Sequence, residues 1–236
     1  MKLSTNFILR ISFSISLGLL LPLNGEAKET ESICYGTPAQ GSLKNGKLLP
    51  RKGKNFSTYS LTGSLMGRTA VHSQVRDIVL QTYQDLYAKL PEKKYVYGET
   101  GWGEGGSFKP HKTHQNGLSV DFMVPIVDKN GKSIALPTHA LNKWGYAIEF
   151  DSLGKFKNYA IDFEALSAHL FYLHKNAVSK GVAVRRVIFD PKLRPQLYKT
   201  SHWPYLEKNL KFSKQSSWVR HDEHYHVDFD LPCGKK

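Results

Sequence analysis

The stretch HDEHYHVDFD, residues 221–230, is the segment on which the interpretation of the chain depends. Three of its first six residues are histidines, and acidic residues stand between and after them. Alternate side chains of a β-strand share a face, so a strand over about 224–231 presents His224 and His226 on one face and Tyr225 on the other. The pattern predicts a strand with one polar and one apolar face.

A second cluster lies far upstream in PHKTHQNGLSVDF, residues 110–122, and contains His111, His114 and Asp121. A strand is predicted over about 118–127, and its alternation places apolar side chains on the face opposite Asp121. His114 belongs to the loop that precedes this strand. Both clusters therefore present polar groups from a strand whose other face is apolar.

Neutral imidazole and carboxylate groups suit zinc, and a catalytic zinc has three protein ligands and one open position. His114, Asp121 and one of the pair His224 and His226 meet that count, which leaves the other histidine free to act on a bound water. The alternative is a set of surface histidines, since the chain contains ten. Two clusters beside apolar faces favour the metal site.

The remaining elements predict an α+β fold, with a central, mostly antiparallel sheet and flanking helices. Helical periodicity covers 73–90 and 162–180, and further strands are expected at 94–99 and 185–189. Residues 28–72 are expected to be irregular with short strands. No regular βαβ repeat and no internal repeat is visible.

The first residues are typical of a secretory signal peptide, with the bases Lys2 and Arg10 ahead of an apolar run too short to span a bilayer. The alternative is an uncleaved anchor. We predict a signal peptide over 1–27 and a single domain over 28–236 that carries the expected zinc site. In an oxidising compartment the two cysteines, Cys34 and Cys233, are expected to pair and to stabilise the fold by about 5 kcal/mol.

The net charge of +13 indicates attraction to an anionic polymer or surface. The bases are scattered and form no nucleic-acid-binding motif, so we expect no nucleic-acid partner. Ser152 and Lys155 match the S-x-x-K pattern of serine penicillin-binding enzymes, but the companion K-T-G is absent. There is also no G-x-S-x-G elbow and no H-E-x-x-H helix.

The order of the motifs resembles the zinc peptidases that include lysostaphin-type enzymes, D-Ala-D-Ala peptidases and the hedgehog signalling domain. The closer resemblance is to the penicillin-insensitive murein endopeptidases, in which the same three motifs occur in this order. They are G-G-x-F at 105–108, H-x-x-H-Q-x-G-L-x-V-D at 111–121 and H-x-x-H-x-H at 221–226. The likeness covers 34–127 and 184–230 and is loose over 128–183, where no second metal site can be matched.

The resemblance implies a zinc ion held by His114, Asp121 and His226. It implies that His224 polarises the water or stabilises an oxyanion. His221 and His111 then line the site as supporting groups or alternate ligands, and we group His221 with the catalytic histidine and His111 with the metal ligands. Glu223 is a rival base, but strand alternation directs it away from the histidine pair.

The implied fold is like that of hedgehog and the D-Ala-D-Ala peptidases. The implied function is an exported, periplasmic zinc hydrolase that cuts D-alanyl–meso-diaminopimelyl crosslinks of peptidoglycan. β-Lactams do not block such an enzyme, because no serine is acylated. A D,D- or L,D-carboxypeptidase and a non-catalytic wall-binding protein remain the alternatives. After cleavage of the signal peptide no stable membrane insertion is expected.

Overall fold

The structure, a computed structural model, describes residues 29–214 and 219–235. The predicted signal peptide, residues 1–27, lies outside the described residues. Within the described ranges, no helix combines the length and the apolar character that crossing a membrane requires.

Short strands and helices follow one another along the chain, and two long helices stand out among them. In chain order the elements are β1 (Ile33–Thr37), β2 (Gln40–Lys44), β3 (Lys47–Leu48), β4 (Phe56–Thr58), α1 (Leu61–Leu65), β5 (Ala70–Val71), α2 (Ser73–Lys89), β6 (Tyr95–Tyr97), β7 (Ser119–Met123), β8 (Ile126–Val127), β9 (Ser133–Ile134), a 3₁₀ segment (Ala140–Gly145), β10 (Lys155–Phe156), β11 (Tyr159–Ile161), α3 (Phe163–Ser179), β12 (Ala183–Ile188), α4 (Arg194–Leu197), α5 (Trp203–Asn209) and β13 (His224–Asp230).

The central sheet has the strand order β12-β13-β7-β6-β4. Its neighbouring strands are antiparallel except for β4 and β6, which are parallel. A smaller sheet has the order β10-β11-β8-β9, and β1 with β2 and β3 with β5 form two separate antiparallel pairs. The predicted α+β class with a mostly antiparallel sheet is confirmed.

One face of the central sheet is apolar and packs on the long helices. Phe122 of β7 stacks on Tyr225 of β13 with ring centroids 5.5 Å apart, and both rings contact His169 of α3. The two predicted helices are confirmed. The buried face of α2 includes Val75, Ile78 and Val79, and α3 is capped by Asp162, whose side chain accepts from the Ala165 N–H. Because the apolar residues of both central strands face the helices, their alternate residues form a polar face.

The predicted strand over 118–127 is two strands, β7 and β8, which belong to different sheets. Pro125 separates them, because proline has no N–H to donate to a strand partner. Val124 N instead donates to the carbonyl of Glu223, at 3.0 Å. The interruption lets the chain leave the central sheet directly after the residues that carry the polar face.

The elements of the middle segment, β9 to β11 and the 3₁₀ segment, were not predicted, and neither were α1, α4 and α5. All are short, and α4 and α5 begin with proline in the first turn, where its missing N–H costs nothing. Elements of this length show too few residues for a hydrophobic period to be recognised.

The expected disulfide is present and joins Cys34 on β1 to Cys233 near the C-terminus. The two ends of the domain are also held by backbone hydrogen bonds, from Gly36 N to Gly234 O and from Gly234 N to Cys34 O, each 2.9 Å long. The last residues are therefore attached to the first strand of the described chain.

We predict that replacing both cysteines, Cys34→Ser and Cys233→Ser, lowers the free energy of unfolding by about 5 kcal/mol, because the bridge closes a very long loop in the unfolded chain. Urea unfolding of the two proteins measures the difference. Wild-type protein kept under a reductant serves as the control and should match the double variant. Equal unfolding midpoints with and without the bridge would contradict the prediction.

Candidate active site

The pairing of β7 with β13 brings the two predicted clusters together. Asp121 lies directly opposite His226 in the antiparallel register, and His224 lies opposite Met123. His226 Nδ1 is 2.9 Å from Asp121 Oδ1, and both side chains are buried. The predicted shared face of His224 and His226 is confirmed, since both approach Asp121 while Tyr225 packs on the helices.

His114 reaches the same carboxylate oxygen from the loop before β7. Its Nε2 is 3.3 Å from Asp121 Oδ1. This buried nitrogen completes no hydrogen bond with any residue of the described ranges. A buried polar atom without a partner costs free energy, which points to a group that the protein is built to hold there.

The spacing of these atoms fits a metal ion. Ligand atoms around a tetrahedral metal at about 2.0–2.2 Å lie roughly 3.3 Å from one another. The distances from Asp121 Oδ1 to His114 Nε2 and to His226 Nδ1, 3.3 and 2.9 Å, are close to that value. The donor set of imidazole nitrogen and carboxylate oxygen suits zinc and similar ions.

In both His114 and His226, the ring nitrogen that points away from Asp121 forms a hydrogen bond. His114 Nδ1–H donates to the carbonyl of Thr100 at 3.2 Å, and His226 Nε2–H donates to Asp228 Oδ1 at 2.7 Å. Histidines that bind metals characteristically donate their other N–H to a carbonyl or carboxylate, which fixes the tautomer and the ring orientation. The anchored tautomers leave His114 Nε2 and His226 Nδ1 directed at Asp121.

Asp228 is itself held on two sides. The Ser119 hydroxyl donates to Asp228 Oδ1 at 2.7 Å, and the Arg186 guanidinium donates to Asp228 Oδ2. The sequence analysis did not assign Asp228, although it lies two residues after His226, where strand alternation puts it on the same face. No sequence signal indicates the contact with Arg186, because it depends on the register between β12 and β13.

His111 joins the group from the same loop as His114. One ligand atom each of His111, His114 and Asp121 lies within 4.8 Å of the others, so these residues form a group that can hold a metal ion. His111 Nε2–H donates to Glu99 Oε2 at 2.5 Å. Tyr59 donates to Glu99 Oε1 at 2.9 Å.

His224 and His221, the predicted catalytic histidines, lie at the edge of this group. His224 Nε2 is 3.9 Å from Asp121 Oδ2, too far for a hydrogen bond, and its ring centroid is 4.5 Å from that of His221. His221 Nδ1–H donates to the carbonyl of Val219 at 2.8 Å. The structure thus brings all six predicted site residues together on one face of the central sheet.

The expected orientation of Glu223 is wrong. Glu223 Oε1 accepts a hydrogen bond from His224 Nδ1 at 2.9 Å instead of pointing away from it. Glu223 immediately precedes β13, so the alternation of a strand does not govern its side chain. Burial is the main cause that raises its pKa, to about 7.

Charges in the site are strongly coupled. Burial acts to lower the pKa of His226, but the carboxylates of Asp228 and Asp121 outweigh it and raise that pKa to about 10. Burial lowers the pKa of His224 to about 4, and it also lowers the pKa of His114. Both of these histidines are therefore neutral at pH 7. A metal ion must displace the proton on His226 Nδ1, so metal affinity should rise with pH up to that value.

Tyr146 is a site residue that the sequence analysis missed. Its hydroxyl donates to Asp121 Oδ2 at 3.1 Å and accepts from Glu99 N at 3.1 Å. Gly98 is required beside it, since a Cβ there would lie 2.7 Å from the Tyr146 hydroxyl and 3.0 Å from Asp121 Cβ. Tyr146 follows the irregular 3₁₀ segment, where no periodic pattern marks it.

A cavity of about 540 Å³ opens next to the group. Its lining is mostly apolar and aromatic, with few charged side chains. It includes Tyr59, Met66, Arg68, Glu99, His111, Lys143, Trp144 and Tyr146. The site therefore combines a group of residues that can hold a metal ion with an adjoining cavity.

The family model of the penicillin-insensitive murein endopeptidases matches residues 34–236. The chain belongs to this family. Membership makes it a metallopeptidase that acts on murein, and the resemblance noted in the three motifs is confirmed. A murein substrate and a disulfide both indicate a protein that works outside the cytoplasm. No curated protein matches the chain.

We predict that Asp228→Asn weakens binding of a divalent probe metal by about 10- to 100-fold, because His226 loses its charged acceptor. Competition with a chromophoric chelator measures the affinity. Asp230→Asn, at the exposed end of the same strand, is the matched control and should leave the affinity unchanged. The prediction fails if the two variants bind the metal equally well while circular dichroism shows both to be folded.

Proposed function

We propose that this murein endopeptidase hydrolyses D-alanyl–meso-diaminopimelyl crosslinks of peptidoglycan with one zinc ion. His114, Asp121 and His226 would hold the ion, and His111 would line the site as an alternate ligand. The observation that supports this set is the geometry at Asp121 Oδ1, which two buried histidines approach with their far nitrogens anchored. A zinc ion bound there would act as a Lewis acid and would lower the pKa of a bound water to about 7.

Asp121 has two functions in this proposal. Its Oδ1 faces both histidines, while its Oδ2 is occupied by the Tyr146 hydroxyl. Tyr146 thus keeps one oxygen away from the ligand position and fixes the carboxylate plane. The carboxylate also reduces the net positive charge of the loaded site, which three neutral histidines would leave undiminished.

His224 is the group that we assign to proton transfer. Its Nδ1–H is directed to Glu223, so the lone pair of Nε2 faces the space beside Asp121. A neutral imidazole held in one tautomer can take up a proton at Nε2 and return it to the leaving amine. His221 packs against the His224 ring and restricts its rotation.

The proposed cellular location follows from the murein substrate and the predicted signal peptide. We propose that residues 1–27 direct export, that residues 28–236 form a single peptidase domain, and that the protein works in the periplasm. The net charge of +13 favours contact with an anionic wall polymer.

The decisive variants separate metal binding from proton transfer. Wild type should bind about one zinc per chain and convert a crosslinked muropeptide dimer to monomers. His226→Ala should lose both zinc and cleavage. His224→Ala should keep zinc but cleave about 10²- to 10⁴-fold more slowly, because the proton-transfer group is lost. Metal analysis and chromatography of the digest measure the two properties.

His202 stacks on Phe171, away from the site. The variant His202→Ala is therefore the control and should behave as wild type. An intact dimer after incubation with zinc-loaded wild type would contradict the proposal. Trimming of a free pentapeptide without dimer cleavage would indicate a D,D- or L,D-carboxypeptidase. Binding to murein sacculi without release of fragments would indicate a wall-binding protein.

We also predict that a β-lactam at saturating concentration does not slow cleavage, because the proposed reaction acylates no serine. A chelator should abolish cleavage, and added zinc should restore it. The same dimer digestion with each additive measures both effects. Formation of a covalent β-lactam adduct, detected by mass spectrometry together with loss of activity, would contradict the prediction.

A further inference from the structure

We call His111, His114, Asp121 and His226 the ligand group. The cavity beside this group carries an unbalanced positive charge. Its charged lining consists of Arg68, Lys143 and Glu99, together with His111. Glu99 receives hydrogen bonds from Arg68 and His111, so its charge is already matched. Lys143 is exposed and forms no ion pair with any residue of 29–214 or 219–235. A cation at a mostly apolar wall is placed to receive an anionic group.

The turn that carries Lys143 is held in an unusual conformation. Lys143 and the next residue, Trp144, have φ values of 50° and 54°, in the left-handed region that side chains other than glycine rarely adopt. Both residues line the cavity. Residues in such conformations cluster at active sites and ligand clamps, so this turn at the cavity wall points to a binding role.

Asn142 maintains the strained turn. Its Oδ1 accepts from His139 N at 3.0 Å and from Gly145 N at 2.9 Å, and its Nδ2 donates to the carbonyl of Pro137 at 2.8 Å. The same turn leads directly into Tyr146, whose hydroxyl reaches Asp121. The backbone of Lys143 is therefore held in place beside the residue that contacts Asp121.

The proposed substrate has an anion at the matching place. In a D-alanyl–meso-diaminopimelyl crosslink, the carbon bonded to the scissile nitrogen also bears a free carboxylate. When the scissile carbonyl lies at the ligand group, this carboxylate is only a few bonds away, and we place it in the space of the adjoining cavity. An ammonium group on the wall of that space forms a charge-assisted hydrogen bond with it.

We propose that Lys143 recognises the free carboxylate next to the scissile nitrogen and so determines which crosslinks are cut. This inference rests on the proposed function. Trp144 forms the adjoining wall, and the Asn142 amide fixes both residues. Substrates in which that carboxylate is converted to a primary amide are cut poorly because Lys143 has no anion to bind.

Two synthetic crosslinked peptides test this, identical except that the group beside the scissile nitrogen is a carboxylate in one and a primary amide in the other. Zinc-loaded wild type should show a kcat/KM about tenfold or more higher for the carboxylate. Lys143→Met should lose this preference by cutting the carboxylate peptide more slowly. Lys143→Arg should retain most of the preference, because the charge is kept.

Lys129→Met, in the exposed turn between β8 and β9, is the matched control and should keep the wild-type preference. A preference that survives Lys143→Met, or that is absent in wild type, would overturn the inference while leaving the proposed function intact. If zinc-loaded wild type cuts neither peptide, the proposed function fails and this inference fails with it.

Discussion

The antiparallel pairing of β7 with β13 is the constraint on which the rest of the structure depends. It sets Asp121 opposite His226 across two strands that are far apart in sequence. Because side chains alternate, the same pairing turns Phe122 and Tyr225 towards the long helices and forms the core. Core and site are therefore opposite faces of one pair of strands. A change of register by one residue in β13 would turn His224 and His226 towards the core and away from Asp121.

Burying this many charged groups requires partners for each of them. Burial alone would raise the pKa of Asp121, but His114 and His224 lie close enough to lower it well below its usual range. Asp228 lies between His226 and Arg186, and its pKa is lowered although burial acts in the opposite direction. The site is thus held in position by its own network, and we expect a bound metal ion to replace the proton on His226 Nδ1.

The sequence analysis predicted the elements that have a regular hydrophobic period. It missed the contacts that depend on strand register or on irregular turns. Strand alternation correctly placed His224 and His226 on one face, and helical spacing correctly located α2 and α3. Alternation failed for Glu223, because that residue lies just outside the strand. Pro125 indicates the break between β7 and β8. It lies within the apolar residues 122–127, however, and these together predict part of one strand. Tyr146 follows a strained turn for which no sequence period exists.

The most direct test of the metal centre is the anomalous diffraction of a zinc-loaded crystal at the zinc absorption edge. The account predicts one strong peak, about 2.0–2.2 Å from each of His114 Nε2, Asp121 Oδ1 and His226 Nδ1. It also predicts that His226 Nε2 still donates to Asp228. A peak held by His224 and His221 instead, or a His226 ring turned away from Asp121, would contradict the assignment of ligands and of the proton-transfer histidine together.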